Sequence, residues 1–229
     1  AYEGATYSKE VEIEVIDPRI PESLSVREAI DSEDGETLLV RGVVASSLVV
    51  QSGFLLIDES GVIAVRVASS DSLKGRSLGD EVIVSGERAH YKPGTNIVGN
   101  SCLNEASIEL NLHGNNSYST SSFEEADVAT LASYPVSVDH TAVGYKVKAS
   151  LKKVATSYFT NYYVTDGTND IQFYAASGAQ YAWLDEYLEK EIDMELVLCN
   201  WNKKTAYRAM LISIQAEGSE KVINDLYFR

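Results

Sequence analysis

The sequence predicts an all-β protein with minor helix, built as two tandem five-stranded β-barrels. Tyrosine, which suits a pleated and half-exposed surface, occurs 14 times, against 5 Phe and 2 Trp. Runs of alternating or β-branched apolar residues also recur through the chain. These runs follow the same order in the two halves, which favours a duplicated domain.

Strand patterns of the first half are bounded by turn and helix signals. The strand segments are 37–45, 53–58, 63–67 and 81–85. Asp58 opens a turn-like segment between the second and third of these, where a carboxylate bonds the local backbone. Ser25 and Glu28 have the spacing of a capping box, which predicts a short helix before the first strand.

The second half repeats this plan. Its strand segments are 143–151, 161–166, 171–175, 192–198 and 207–214. Ser122 and Glu125 again have capping-box spacing. Tyr181, Leu184 and Leu188, or alternatively Trp183 and Tyr187, have helical spacing and predict a helix between the third and fourth strands.

An offset near 108 to 110 residues superimposes the two halves. The matched pairs include Phe54 with Tyr162, Asp58 with Asp166, Ile63 with Ile171, Val65 with Phe173, Val82 with Ile192 and Tyr91 with Trp201. The period is far too long for a solenoid repeat, so it indicates two copies of one domain. The expected divisions are 1–20 (leading strand, over 7–16, and linker), 21–112 (first barrel), 113–122 (linker), 123–217 (second barrel) and 218–229 (C-terminal tail).

The order helix, strand, strand, turn, strand, short helix, strand, strand is that of an oligonucleotide/oligosaccharide-binding (OB) barrel. The segments SVREAI, ETLLVRGVV, SGFLLIDESGVIAVRV and LGDEVIVSGE, within residues 25–100, resemble the OB-like domains of secreted or cell-surface bacterial multidomain proteins. Those domains often stand beside nuclease or phosphatase domains. The resemblance implies an OB fold, an extracellular or cell-surface setting and neighbouring domains. The second half departs from these motifs and is linked to them through the internal repeat.

Composition and motifs argue against several classes of function. The net charge of −15 counts against duplex DNA as a partner, because phosphate neutralisation supplies most of that affinity. No membrane-length apolar stretch is present. The three histidines are scattered, and no nucleophile, phosphate-loop or metalloprotease motif occurs, so we expect no enzyme, cofactor or metal. The loop from Asp166 to Asp170 is too short for a dedicated calcium site. Cys102 and Cys199 are expected to be small buried side chains, with a bridge between them as the alternative.

Aromatic residues beside cations predict a binding face near the loops and strands that OB barrels use. The candidate residues are Arg88, Tyr91, Lys92, Tyr162, Tyr174, Trp201, Lys203, Lys204, Tyr207 and Arg208. Rings stacked on bases and cations along the backbone suit single-stranded nucleic acid, and rings also suit an oligosaccharide. The alternative is a structural spacer or protein-interaction module. The exposure of Tyr174 and Trp201 discriminates between these hypotheses, because buried rings cannot stack on a ligand.

Overall fold

The computed structural model describes residues 20–48, 53–69, 73–112, 114, 116–174, 178–201 and 204–224. These residues are mostly β with a few short helices, and they form one closed five-stranded barrel followed by a second, open sheet. The strand predicted over residues 7–16 lies outside the described part of the chain, as do His113 and the candidate residue Lys203.

The first barrel follows a short helix and closes on itself. Helix α1 spans Val26–Asp31, and the strands are β1 (Thr37–Ser47), β2 (Gly53–Ile57), β3 (Val62–Val67), β4 (Glu81–Tyr91) and β5 (Asn100–Leu112). The order around the barrel is β1-β2-β3-β5-β4, and β4 pairs back to β1. Only the β3–β5 contact is parallel among these pairings, and it closes the ring. This connectivity is OB-like.

The second sheet repeats these pairings. Its elements are β6 (Glu124–Glu125), α2 (Val128–Ser133), β7 (Gly144–Ala155), β8 (Thr160–Thr165), β9 (Asp170–Gln172), a 3₁₀ helix (Gly178–Tyr187), β10 (Glu191–Cys199), β11 (Arg208–Ala216) and β12 (Val222–Ile223). The order is β12-β11-β10-β7-β8-β9, with β6 paired to β7. Strand β12 falls within the predicted C-terminal tail.

The second sheet differs from the predicted closed barrel at one contact. The place of the β3–β5 ladder is taken by a single parallel bridge between Phe173 and Ala209. Strand β9 has three residues where β3 has six, so it is too short to form a closing ladder. A buried core nevertheless fills the concave side of this sheet, and its largest side chains include Tyr145, Phe173 and Tyr181.

The turn between β2 and β3 and the turn between β8 and β9 have matching hydrogen bonds, as the internal repeat predicts. One carboxylate oxygen of Asp58 accepts the backbone N–H groups of Ser60 and Gly61, at 2.7 and 3.0 Å. Asp166 does the same for Thr168 and Asn169, at 2.8 and 2.6 Å. Both aspartates therefore stabilise hairpins through local backbone hydrogen bonds, as predicted.

Of the two capping boxes predicted from the sequence, one is present in the structure. Ser25 and Glu28 form the predicted capping box at the start of α1. The second predicted capping box is wrong: Asp127, and not Ser122, caps α2 by accepting the N–H of Thr130 at 2.7 Å. Glu125 is unavailable for a capping box because it pairs with β7 as part of β6.

The helix predicted before β10 is present but is 3₁₀ rather than α. Over residues 181–187 its buried side chains are Tyr181, Leu184 and Tyr187, and the predicted Leu188 lies just after the helix and is half-buried. Their spacing of three matches the three residues per turn of a 3₁₀ helix, so they share one face that covers the core.

A close approach at Gly144 is the basis of the first prediction. A Cβ atom there would lie 2.4 Å from the ring of Phe123, which is itself packed among buried residues. We expect Gly144→Ala to destabilise the protein by about 1–3 kcal/mol through overpacking. Urea unfolding measures this effect. Combining it with Phe123→Leu, which withdraws the ring atoms from the clash, should cost less than the sum of the two single changes; strict additivity would show that the contact does not cause the effect.

Candidate functional site

A shared apolar cluster, here called the junction, joins the first barrel to the second sheet. Its buried members from the first barrel are Ala45, Leu48, Leu55, Ile57, Val62, Ala64 and Cys102. Its buried members from the second half are Phe123, Tyr174, Val197, Cys199, Trp201, Met210 and Ile212. Burial of this area excludes water from both surfaces and holds the two halves together.

Trp201 has the largest side chain in the junction. Its ring lies 5.5 Å from that of Tyr91 in a tilted arrangement, and its Nε1–H donates to the sulfur of Met210 at 3.2 Å. The guanidinium of Arg66 lies over the ring of Tyr91, 3.4 Å from its centroid. Aromatic pairs in such geometry contribute beyond their buried area.

A polar network borders the junction, with His90 at its centre. Nδ1 of His90 lies 2.8 Å from a carboxylate oxygen of Asp34, and Nε2 lies 3.2 Å from one of Asp139. Carboxylates only accept hydrogen bonds, so both ring nitrogens donate when the ring is the imidazolium cation. A protonated His90 thus bridges the first barrel and the second half.

Asp139 is anchored by further donors from both halves. Its oxygens accept from the Ser101 hydroxyl at 2.5 Å, and from the N–H and hydroxyl of Thr141 at 2.7 Å each. The backbone N–H of Ser101 donates to the Thr141 hydroxyl oxygen at 2.8 Å. Arg88, only 2% exposed, donates to the Ser101 hydroxyl oxygen at 3.0 Å.

These contacts shift two pKa values in opposite directions. The hydrogen bond to Asp139 raises the pKa of His90, while burial opposes this effect. Burial by itself would raise the pKa of Asp139, but the hydrogen bonds from His90, Ser101 and Thr141 outweigh it and hold that pKa well below its ordinary value.

Most of the residues predicted to bind a ligand are buried or half-buried within the folded protein. Tyr162, Tyr174, Trp201, Tyr207 and Arg88 are buried, at 2%, 7%, 6%, 7% and 2% exposure. Tyr91 and Arg208 are half-buried, and Lys92 and Lys204 are exposed. The four buried rings therefore cannot provide the stacking surface expected of them, because the core and the junction already cover them. Participation of the exposed cations in binding remains a prediction.

The outer face of β7, β8 and β9 is partly exposed and carries a different set of residues, in which Lys152 is exposed and Tyr163 and Gln172 are half-buried. Lys152, Tyr163 and Gln172 lie directly opposite one another across the three strands. Their neighbours along β8, Tyr162 and Val164, point into the core. Strand alternation therefore places this row on the outer surface, together with Asn161 and others two residues apart.

The hairpin between β7 and β8 extends this outer face. Tyr158 is 94% exposed and Phe159 is 51% exposed. The hydroxyl oxygen of Thr156 accepts the N–H groups of Tyr158 and Phe159 at 3.2 and 3.1 Å, and Thr156 N–H donates to the Phe159 carbonyl at 2.8 Å. The turn is thus held in one conformation, and alternation puts Phe159 on the same face as Tyr163.

Two lysines of β7 have acidic partners, on opposite sides of the sheet. On the outer side the Lys152 ammonium lies 2.5 Å from Asp170. Lys153 lies opposite Tyr162 and therefore on the core side, where its ammonium is 2.6 Å from Asp185. Asp185 also accepts the phenolic O–H of Tyr162 at 2.6 Å. The outer surface, here called the β8 face, therefore combines Tyr163, Phe159 and Tyr158 with amides and one ion pair.

The sequence contained a signal for the β8 face that the candidate set did not use. The offset of 108 that aligns Phe54 with Tyr162 also aligns the outward Leu55 with Tyr163. The inward residues of the two halves match, but the outward ones differ. A comparison of the outward residues would have predicted an apolar outer face in the first half and a polar one in the second.

Within the described residues, no three His, Cys, Asp or Glu side chains are grouped so as to hold a metal ion. Nor does any helix in that part of the chain have the length and apolar character needed to cross a membrane.

Comparison with known proteins gives only distant likenesses. No protein-family model matches the chain, and no curated protein is similar to it. One similar solved structure is the Ifi202 HINa domain in complex with 20-bp dsDNA, with 11% identity and a TM-score of 0.38 over 83% of this chain and 96% of that chain. Another is a replication protein A heterotrimer bound to ssDNA, with 10% identity and a TM-score of 0.27 over 86% of this chain and 70% of that chain. Neither likeness is close enough to carry an argument about function.

The burial of Trp201 gives a second prediction. We expect Trp201→Ala to lower the free energy of unfolding by about 3–5 kcal/mol, because it empties the centre of the junction. Tyr158→Ala should change it by less than about 0.5 kcal/mol, since that ring is 94% exposed. Urea unfolding followed by far-UV circular dichroism compares the two; equal effects would contradict the assignment of Trp201 to the junction.

The His90 network predicts a specific dependence of stability on pH. Because the folded protein raises the pKa of His90, its contribution is fully present below the unfolded value near 6.5 and is lost as pH rises through the folded pKa. Asp139, whose pKa is lowered, contributes above its unfolded value near 3.9 and loses this contribution as pH falls.

We therefore expect the stability difference between the native protein and His90→Gln to be largest between about pH 4 and 6.5. Urea midpoints of both proteins, measured from pH 4 to 9, provide the difference and remove the general effect of the acidic net charge. A difference that does not change with pH would contradict a protonated bridge.

Proposed function

We propose that this chain is a non-catalytic module of two OB-like units that binds single-stranded nucleic acid through the β8 face. One observation carries the proposal: the outer surface of the second and third strands, where OB barrels hold ligands, bears the half-buried ring of Tyr163 in the second unit, and the adjoining hairpin adds the exposed rings of Tyr158 and Phe159. Bases stack on such rings with little regard to sequence, which suits a ligand of varied composition.

Geometry on the β8 face supports an extended ligand. Phe159 lies just before β8 and Tyr163 lies within it, four residues further along the chain, which corresponds to roughly 13 Å of extended chain. Lys152 lies opposite Tyr163 on β7, and Gln172 lies opposite Tyr163 on β9. Asn161 lies two residues before Tyr163 along β8. Rings for stacking, amides for hydrogen bonds and a lysine for the backbone thus occur together.

Charge sets the expected strength of this binding. The net charge of −15 repels a polyanion at long range, and Lys152 must exchange Asp170 for a phosphate. That exchange is inexpensive because exposed ion pairs contribute little, about 0–1 kcal/mol. We therefore propose weak binding that depends on salt and derives mainly from stacking.

A neutral oligosaccharide is the second candidate ligand, and the ion pair of the β8 face favours it. A sugar has no charge to be repelled, and the pair of Lys152 with Asp170 can stay intact while its atoms bond hydroxyl groups. Tyr163 would then serve as a platform for a sugar ring.

The resemblance of residues 25–100 to domains of secreted bacterial proteins supports a setting for this module. We propose that it works at the cell surface or outside the cell, next to other domains of a longer chain. In that setting it would hold a polymer for a neighbouring domain and perform no chemistry itself.

Fluorescence anisotropy of a labelled single-stranded oligonucleotide tests the nucleic-acid proposal. We expect binding at about 50 mM salt that weakens at about 200 mM. Tyr163→Ala should lower the affinity roughly 5- to 100-fold, the equivalent of about 1–3 kcal/mol for one stacked base. Lys152→Ala should weaken binding and reduce the salt dependence by about one counterion.

Matched controls separate the β8 face from general effects. Lys148 lies on the outer side of the same strand and is also ion-paired, with Glu191 at 3.0 Å, but its neighbour is β10. Lys148→Ala and Val138→Ala should leave the affinity unchanged. Absence of binding at high micromolar protein in low salt would refute the nucleic-acid proposal, and binding of a neutral oligosaccharide without salt dependence would replace it with the second candidate.

A further inference from the structure

Corresponding surfaces of the two units have opposite chemistry. With the offset of 108, the outward residues Leu55 and Ala64 of the first barrel correspond to Tyr163 and Gln172 of the second sheet. The strand registers agree with this correspondence, since Leu55 pairs with Ala64 and Tyr163 pairs with Gln172. One surface is therefore aliphatic where its counterpart is aromatic and polar.

The aliphatic surface of the first barrel is already occupied. Leu55 and Ala64 are 1% and 3% exposed, and they belong to the junction with Ile57 and Val62. The covering side chains are Val197 and Cys199 of β10, Met210 and Ile212 of β11, and Trp201 and Tyr174. The second sheet thus lies where a ligand of the first barrel would bind.

Buried hydrogen bonds also cross this contact. The Ser46 hydroxyl donates to the carbonyls of Leu211 and Asn224, at 3.3 and 3.2 Å. Elsewhere the N–H of Asn200 donates to the side-chain carbonyl of Asn100 at 2.6 Å, with both residues at most 2% exposed. A ligand entering here would have to break these buried bonds and replace apolar packing.

We infer that the second sheet permanently occupies the ligand surface of the first barrel, so that the module has one polymer site instead of two. The inference rests on the proposed function for the identity of the polymer, and on the junction for the number of sites. The first barrel is then a scaffold that orients the β8 face. The bound segment is no longer than a single OB unit accommodates, about 4–16 nucleotides.

The two cysteines of the chain provide a native probe of this inference. Cys102 and Cys199 are free, buried and on opposite sides of the junction. Burial raises the pKa of Cys102 to about 11 and also raises that of Cys199. Both thiols are therefore protonated and shielded while the junction is closed, and they react when it opens.

Thiol modification of the full chain, with and without an oligonucleotide, is the decisive experiment. We expect both thiols to react at least on the order of 100-fold more slowly than in urea-unfolded protein, because reaction requires local opening. A saturating single-stranded oligonucleotide should leave that rate unchanged. Cys102→Ser assigns the remaining signal to Cys199. Rapid reaction of the free protein, or acceleration by the oligonucleotide, would overturn the inference.

A series of oligonucleotide lengths completes the test. Affinity should rise with the length of the oligonucleotide and reach a plateau within the length that one OB unit accommodates, about 4–16 nucleotides. One protein molecule should bind to each oligonucleotide of that length. A rise that continues to about twice that length would indicate that both units bind and would overturn the inference. If no oligonucleotide binds, the proposed function fails, while slow thiol reaction of the free protein still supports an occupied first barrel.

Discussion

Burial of an aliphatic strand surface at the junction is the constraint on which the rest of the molecule depends. Leu55, Ile57, Val62 and Ala64 face outward from the first barrel, and an outward aliphatic patch of this kind is not stable in water. The second sheet covers it, which fixes the relation between the two units. The His90 network and the tilted contact between the rings of Trp201 and Tyr91 both depend on that arrangement.

Much of the fold followed from local pattern. Alternation predicted strands that the structure contains, the offset near 108 residues predicted repeated pairing, and Ser25 with Glu28 predicted a capped helix. These features depend on residues close together in sequence. The open second sheet did not follow, because it depends on the shortness of β9. The start of α2 was misplaced because Asp127 competes as a cap and Glu124–Glu125 pairs with β7.

The candidate site was harder to predict for a physical reason. Composition indicates that aromatic and cationic residues occur near loops, but an aromatic ring that packs between domains has the same local sequence as one that faces solvent. Tyr174 and Trp201 belong to the first kind, and Tyr158 belongs to the second. What separates them is contact with residues about 100 positions away, which no local pattern contains.

The junction also affects how the two halves behave as separate pieces. Cutting the chain in the linker would give each half an uncovered strip of aliphatic and aromatic side chains, and such strips favour self-association. The two halves therefore have separate folds, but we expect them to remain soluble only when they are joined. Of the two corresponding strand surfaces, the one in the first barrel is buried in the contact between the halves, and the one in the second sheet remains accessible to solvent.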